Sequence, residues 1–255
     1  MNLLKEKSKY IIRTLIVFFI FWYSSYLQYI LVYLFKLDVK HLSNATHVIL
    51  STFSSIIVFI ILFFIYRKDL KKDFKKFRKN HYEYMDIGLK WWGIGLVIMF
   101  TSNYILTFVL KGGGANNEQA VQSMIKSVPW LMLIDAGFIA PFNEEIVFRK
   151  SVKDIFKNKW LFVLMSFLLF GGAHVISSAK TIIDYLYLIP YGALGGAFAL
   201  AYYETDNIFT TISVHMIHNI ILIILSIVLV LIGSKKEVIK LPFLFLFLFF
   251  CLLLR

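Results

Sequence analysis

Three short polar segments interrupt the apolar stretches of this chain. Their ionisable or hydrogen-bonding residues are Glu144, Glu145 and Arg149 in the first, His174 in the second, and His215 and Asn219 in the third. Carboxylates and imidazoles are the side chains that most often transfer protons in catalysis, and N–H donors stabilise a developing oxyanion. The set therefore predicts a hydrolytic site, in which one group activates water and others stabilise the charged carbonyl oxygen.

The composition places these groups in a membrane protein. Of the 255 residues, 59% are hydrophobic and 16% are charged, whereas soluble domains average about 45 to 50% apolar and about 25% charged residues. Because a transmembrane helix needs roughly 20 residues, the length allows about eight spans with short loops. We expect an all-α, polytopic membrane helical bundle, with residues 1–255 forming a single integral membrane domain. The one cysteine, Cys251, excludes an internal disulfide or a cysteine-based metal site.

Apolar runs predict the positions of the spans. They lie near residues 11–35, 47–66, 89–110, 129–148, 160–176, 185–203, 208–232 and 241–254. The links after the second and fourth runs are rich in Lys and Arg, which the positive-inside rule assigns to the cytoplasm, so both termini are expected there as well. The basic residues of this +12 chain therefore indicate orientation and not nucleic-acid binding. The last short run is open to a re-entrant or interfacial alternative.

The spacing within the first segment separates its two carboxylates. Glu145 and Arg149 are four residues apart, so they share one face of a helix and are predicted to form a structural ion pair. Glu144 points about 100° away from Glu145, which leaves it for acid–base chemistry. Ionisable groups within a span cost about 2.5 to 3.5 kcal/mol each, so those that persist face a cavity or a partner. Asp135, two turns earlier, is expected to be such a buried partner or part of the cavity wall.

Small residues surround the histidine of the second segment. Gly171 and Gly172 precede His174, and they allow a neighbouring backbone to approach closely. Gly192 and Gly196 on the sixth run predict a second close helix contact beside the site.

The third segment stacks His215 and Asn219 on one helical face, because they are four residues apart. His218 lies about 60° from His215 on the same helix. We predict a packing or lipid-interface role for His218, with a contribution to the site as the alternative.

Depth along the helices allows the three segments to share one pocket. If the helix that carries Glu144 continues through Phe156, then Glu144 lies about 20 Å and His174 about 24 Å from the turn that follows. His215 lies about 12 Å from Asn207, near the start of its own helix.

The order and spacing of the segments resemble the motif series of the CAAX prenyl endopeptidase and bacteriocin-processing (Abi) family. The matching strings are Glu144-Glu145-x-x-x-Arg149, Phe170-x-x-x-His174 and His215-x-x-x-Asn219. The resemblance implies a membrane-embedded endopeptidase with its catalytic core across residues 129–233 and a peptide or membrane-associated protein as substrate. It implies these roles: water activation by Glu144 and His174, support by Glu145 and Arg149, and oxyanion stabilisation by His215 and Asn219.

The residues leave the use of a metal open. Glu144, His174 and His215 could supply the three protein ligands of a catalytic Zn²⁺, but the chain contains no HExxH motif. Water activation without a metal and activation by zinc are therefore equal alternatives. Two other function classes use similar buried groups. One is a non-catalytic membrane scaffold or bacteriocin self-immunity protein. The other is a proton-coupled carrier, against which the absence of repeat symmetry between the halves counts.

Overall fold

The computed structural model describes residues 2–38, 41–110 and 116–231. Within these ranges the chain forms helices and connecting turns without a β-strand, so the predicted all-α class is confirmed. The eighth predicted run, at 241–254, and Cys251 lie outside the described residues.

The helices follow one another in a simple order. They are α1 (Asn2–Trp22), α2 (Tyr26–Leu34), α3 (Asn44–Leu110), α4 (Asn116–Ser127), α5 (Pro129–Ile134), α6 (Ala140–Glu145), α7 (Val152–Ile155), α8 (Lys159–Val175), α9 (Leu188–Thr205) and α10 (Ile208–Leu231). Two π-helical turns, Asp135–Ile139 and Ile146–Ser151, connect α5 to α6 and α6 to α7, and a 3-10 helix, Ile182–Tyr187, precedes α9.

Helix α3 contains both the second and the third predicted runs. Its 67 residues would extend about 100 Å if straight, against about 30 Å for the bilayer core. At Asn80 the backbone leaves the helical conformation. In the half of α3 before this kink, Asp73 packs beside the first residues of α10, and Val48 packs near the other end of α10. After the kink, Gly88 lies at the first turns of α10 and Phe100 further along. The two halves of α3 therefore run in opposite directions along α10.

Three of these segments are long and apolar enough to cross a membrane. They are Asn44–Leu110, Ile182–Thr205 and Ile208–Val228. Helices α1 and α2 add a fourth if the pair, which is bent by 48°, counts as one span. Helix α8 is apolar but shorter. The membrane character is thus confirmed, whereas the count of eight stays a prediction that the reversal within α3 supports.

The fourth predicted run forms the segment α5 to α7, and it continues as helix to Ile155. Pro129 occupies the first turn of α5, where its missing N–H removes no hydrogen bond. The segment ends at Phe156, which is extended (ψ 97°). Helix α8 then begins, and the side chain of Asn158 caps it by accepting from the backbone N–H groups of Trp160 and Leu161, each at 3.1 Å. The helical segment therefore ends one residue before the Phe156 that the depth argument assumed, which changes the estimated depths by only about 1.5 Å.

Helices α8 and α9 pack in close contact through glycine. A Cβ atom on Gly171 would lie 2.8 Å from the carbonyl oxygen of Leu188, and one on Gly195 would lie 3.0 Å from that of Ser166. Gly192 has equally little room, because a Cβ atom there would lie 2.7 Å from the ring of Phe167. The predicted contact at Gly192 is confirmed.

The prediction that Gly196 is the second close contact of this pair was wrong. A Cβ atom on Gly196 would meet its nearest neighbour, Val163, at 3.7 Å, which is an ordinary van der Waals distance. Gly195, the preceding residue, makes the close contact instead, because it points more directly toward α8.

Two residues define the start of α10, the helix that carries His215. Asp206 ends α9 in the left-handed conformation (φ 46°), and the side chain of Asn207 accepts from the backbone N–H of Phe209 at 3.0 Å. The amide of Asn207 also donates to the backbone carbonyl of Asp73 at 2.7 Å. This bond fixes the start of α10 against α3, so the position of His215 depends on both helices.

Candidate active site

Glu145 and Arg149 form a fully buried ion pair at the centre of the polar cluster. Their Oε1 and Nη1 atoms are 3.2 Å apart, and both side chains are 0% exposed. The guanidinium lies over the ring of Phe170 at 4.3 Å and near that of Phe198 at 5.5 Å. The rings favour the cation in an otherwise apolar setting. The ion pair predicted from the i, i+4 spacing is confirmed.

His215 contacts both carboxylates of the first segment. Its Nδ1 atom is 2.8 Å from Oε1 of Glu145, and its Nε2 atom is 3.7 Å from Oε2 of Glu144. Because a carboxylate accepts hydrogen bonds, Nδ1 carries a proton and donates it to Glu145. Glu145 is fully buried whereas the side chain of Glu144 is 16% exposed. The two carboxylates therefore have different surroundings, as their helical angle predicted, although one imidazole reaches both.

His174 is held by two aromatic rings and one hydrogen bond. Its Nδ1 atom is 2.9 Å from the backbone carbonyl oxygen of Phe170. A carbonyl only accepts, so Nδ1 is the protonated nitrogen and Nε2 keeps a lone pair in the neutral ring. The ring stacks on Tyr191 with centroids 4.9 Å apart and an interplanar angle of 23°. The Phe170 ring lies 4.4 Å from His174 and 5.9 Å from His215, and so connects the two imidazoles.

Asn219 bonds to the backbone of the first π turn. Its amide donates to the backbone carbonyl of Ala136 at 2.7 Å, at a point where the regular helical hydrogen-bond ladder is interrupted. Asp135, in the same turn, is buried and accepts from the hydroxyl of Thr52 at 3.2 Å. Asp135 therefore has the buried-partner role that was one of its two predicted alternatives.

His218 lies outside the cluster. Trp92 donates from its indole N–H to Nδ1 of His218 at 3.2 Å, and both side chains are buried. The contact joins α10 to the second half of α3. The predicted packing role of His218 is confirmed.

The structure thus places the six predicted site residues at two levels of contact. Four of them touch directly, namely Glu144, Glu145, Arg149 and His215. His174 connects to them through the Phe170 ring, whereas the hydrogen bond of Asn219 goes to the backbone carbonyl of Ala136, in the first π turn. Their catalytic roles remain predictions.

The predicted zinc ligands do not form a three-ligand group in this arrangement. Across residues 2–38, 41–110 and 116–231, no three His, Cys, Asp or Glu side chains are grouped so as to hold a metal ion. Glu144 and His215 are neighbours, but His174 is turned toward Phe170 and Tyr191. The chemistry proposed below therefore contains no metal step, and Zn²⁺ stays a prediction.

Aromatic residues to which the sequence analysis gave no role in the site form much of its wall. Phe170 has a signal in the sequence, because it precedes His174 by four residues and so lies on the same helical face. Tyr191 and Phe198 have no such signal. Both come from α9, and only the packing of α9 against α8 and α10 brings them to the histidines.

Comparison with known proteins agrees with this geometry. Residues 126–221 match the family model described as "Type II CAAX prenyl endopeptidase Rce1-like". The "Putative membrane peptidase YdiL" of Bacillus subtilis is 32% identical over 118 residues, which cover 45% of each chain. An uncharacterised protein of Mycoplasma capricolum is 28% identical over 189 residues, 68% of this chain and 54% of that protein. The chain thus spans about half the length of these relatives. No solved structure matches it.

The matched region begins before α5 and ends within α10, so it contains all six predicted site residues. Residues 126–221 therefore resemble the Rce1-like family, and the predicted resemblance to the CAAX prenyl endopeptidases is confirmed for this part of the chain.

Proposed function

We propose that this protein is an intramembrane endopeptidase that hydrolyses a peptide bond in a peptide or a membrane-associated protein. The observation that carries the proposal is the buried contact of His215 with Glu144 and Glu145, inside the Rce1-like region. Burying a carboxylate–imidazole–carboxylate arrangement within a membrane protein costs free energy, and such groups in a membrane protein therefore indicate a functional site. It supplies the proton acceptor and the N–H donor that peptide hydrolysis needs.

Glu144 is the proposed general base. Of the two clustered carboxylates it is the one that is partly exposed, at 16%, so it can reach a water molecule that Glu145 cannot. The lone pair on Nε2 of His174 orients the same water. Glu144 removes a proton as the water attacks the carbonyl carbon, and it then passes that proton to the leaving amine.

His215 and Asn219 are the proposed donors to the oxyanion. Glu145 accepts from Nδ1 of His215 and stabilises positive charge on the ring, so that Nε2 can donate toward the reacting carbonyl oxygen. Asn219 uses one amide N–H on Ala136, and its second N–H is directed to the same oxygen. Arg149 balances the charge of Glu145 and supports this orientation.

Several finer features belong to the same proposal. The catalytic core comprises residues 129–233 of a single integral membrane domain, with eight spans and both termini in the cytoplasm. The substrate is either a prenylated protein or a peptide of the kind that Abi-type proteins process. Zn²⁺ is an alternative means of activating water, and a chelator added to the cleavage assay distinguishes the two cases.

The test is a comparison of cells that carry the wild type with cells that carry Glu144→Gln. Glutamine keeps the shape of the side chain but removes the base, and we expect a loss of cleavage of about 10²- to 10⁴-fold. Peptides of the membrane fraction are quantified by mass spectrometry, and a fragment that vanishes identifies the substrate. Purified wild type and variant are then compared on that substrate.

Glu83→Gln is the matched control, because Glu83 is exposed on α3 and the same chemical change there should leave cleavage intact. Undiminished cleavage by Glu144→Gln would refute the role of Glu144. If Glu144→Gln and His174→Ala proteins accumulate and keep full biological activity, the protein is a scaffold or an immunity protein.

A further inference from the structure

The middle of α3 has an outer face that is densely cationic. Eight of the thirteen residues from 67 to 79 are basic: Arg67, Lys68, Lys71, Lys72, Lys75, Lys76, Arg78 and Lys79. Seven of them are exposed, and Lys76 is half-buried. The exposed ones follow two adjacent stripes of a helix, with spacings of three and four residues, one stripe starting at Arg67 and the other at Lys68.

The acidic residues of this segment are turned inward. Asp69 pairs with Arg13 of α1, with 3.1 Å between Oδ2 and Nη1. Asp73 is buried, and its carboxylate lies 3.5 Å from the backbone N–H of Ile208 at the start of α10. Asp73 is therefore withdrawn from the surface, and Asp69, whose side chain is 37% exposed, is already paired with Arg13, so the positive charge of this face far exceeds the negative charge on its own segment.

On the same helix, an exposed apolar surface directly precedes this cationic face. Phe63 and Phe64 are 44% and 60% exposed one turn before the first cation, on a helix that is apolar enough to cross a membrane. Phe74, in the middle of the stripes, is 48% exposed. An exposed aromatic ring among cations is typical of a helix that rests at the boundary between acyl chains and headgroups.

We propose that this cationic face of α3 binds the phosphate headgroups of anionic lipids. The occupant is a lipid because the face continues directly from the surface that acyl chains cover, so its ammonium and guanidinium groups reach the headgroup layer. Phosphate oxygens accept hydrogen bonds from these groups, and basic clusters next to a span bind anionic membranes. The binding also holds the reversal at Asn80 against the membrane surface.

The experiment uses the full chain purified in detergent. Phosphatidylglycerol and phosphatidylcholine are added in equal amounts, and native mass spectrometry counts the bound molecules of each. We expect the wild type to bind phosphatidylglycerol in preference. The triple variant Lys68→Gln, Lys72→Gln, Lys75→Gln should lose that preference by roughly tenfold or more, because each cation near the surface contributes. Raising the salt from 0.1 to 1 M should weaken it too, because the Debye length falls from about 10 to about 3 Å.

Two matched triples separate charge from other effects. Lys36→Gln, Lys126→Gln, Lys180→Gln removes equal charge from exposed positions elsewhere and should keep the preference. Replacing Lys68, Lys72 and Lys75 by Arg keeps the charge and should keep it as well.

The proposal is overturned if the stripe triple binds phosphatidylglycerol as the wild type does, or if the dispersed triple loses as much. Loss in the Arg triple also contradicts it, because charge is then not the cause. An oligoglutamate peptide is the last probe. If it binds this face while phosphatidylglycerol shows no preference, the surface belongs to an acidic protein segment instead of a lipid.

Discussion

One carboxylate oxygen, Oε1 of Glu145, lies 2.8 Å from Nδ1 of His215 and 3.2 Å from Nη1 of Arg149. The same atom therefore orients the imidazole and balances the guanidinium. Because all three side chains are buried, neither the imidazole nor the guanidinium has bulk water as an alternative partner. The orientation of His215 toward Glu144 thus depends on a charge that itself depends on Arg149.

Removing one member of this buried pair should destabilise the protein strongly. In Glu145→Gln the guanidinium of Arg149 stays buried without its counter-charge, at a cost of about 3 to 5 kcal/mol of unfolding free energy. Thermal unfolding of the purified variant in detergent measures the loss. The double variant Glu145→Gln, Arg149→Met removes both charges and should recover much of the stability.

Cleavage by that double variant is a separate measurement. Without Glu145, His215 loses its orienting acceptor, so activity should stay low although stability returns. A double variant with wild-type cleavage would show that Glu145 has only a structural part.

The stacking of Tyr191 on His174 makes Tyr191 a positioning residue of the proposed site. Tyr191→Leu removes the ring that fixes the imidazole plane, and we expect kcat to fall by about 2- to 10-fold, the equivalent of the 0.5 to 1.5 kcal/mol that an aromatic pair contributes. KM should change little at the same time, because the ring is proposed to orient the imidazole and not to bind the substrate. Tyr191→Phe keeps the ring and should keep both. An unchanged kcat in Tyr191→Leu would leave Tyr191 with a packing role alone.

Adjacent glycines on α8 should respond oppositely to the same substitution. Gly171→Ala places a methyl group 2.8 Å from the carbonyl oxygen of Leu188, which cannot move without separating the helices, and should cost about 1 to 3 kcal/mol. Gly172→Ala meets only the terminal methyl of Ile176, at 3.3 Å. That flexible side chain can shift, and alanine favours helix by about 1 kcal/mol. Melting temperatures in detergent compare the two, and equal losses would contradict the close contact of α8 with α9.

Acid should weaken the link between α7 and the turn before α10. Lys153 lies 2.9 Å from Asp206. Partial burial opposes ionisation of Asp206, but the hydrogen bond and charge of Lys153, with Lys76 and Lys150 nearby, lower its pKa overall. A lowered folded-state pKa contributes stability above the unfolded pKa of about 4, and that stability is lost as the pH falls through the folded pKa.

The measurement is the difference in melting temperature between the wild type and Asp206→Asn from pH 6 to pH 3. Asparagine tolerates the left-handed backbone at this position, so the substitution removes charge without strain. The difference should be small at pH 6, since the side chain is 71% exposed and such pairs contribute about 0 to 1 kcal/mol. It should vanish toward pH 3. A difference that grows on acidification would reverse the sign of the effect.

Local spacing determined a good part of this site. The Glu145–Arg149 pair and the position of Phe170 beside His174 both follow from residues four apart on one helix, because the turn of the helix fixes their angle without any help from the rest of the fold. Composition likewise determined the helical membrane class. The three motifs, by order and spacing alone, predicted the family that residues 126–221 match.

Only the tertiary structure decided how the helices turn toward one another. Glu145 and His215 are 70 residues apart, and their contact depends on the rotation of α10, which the bond from Asn207 to Asp73 and the close packing of Gly88 against α10 fix. The close contact at Gly195 in place of Gly196, and the reversal of α3 at Asn80, likewise depend on tertiary packing. A sequence periodicity gives the angle of a side chain about its own helix axis. The rotation and depth of that helix against its neighbours come from the packing of many side chains that are distant in the chain.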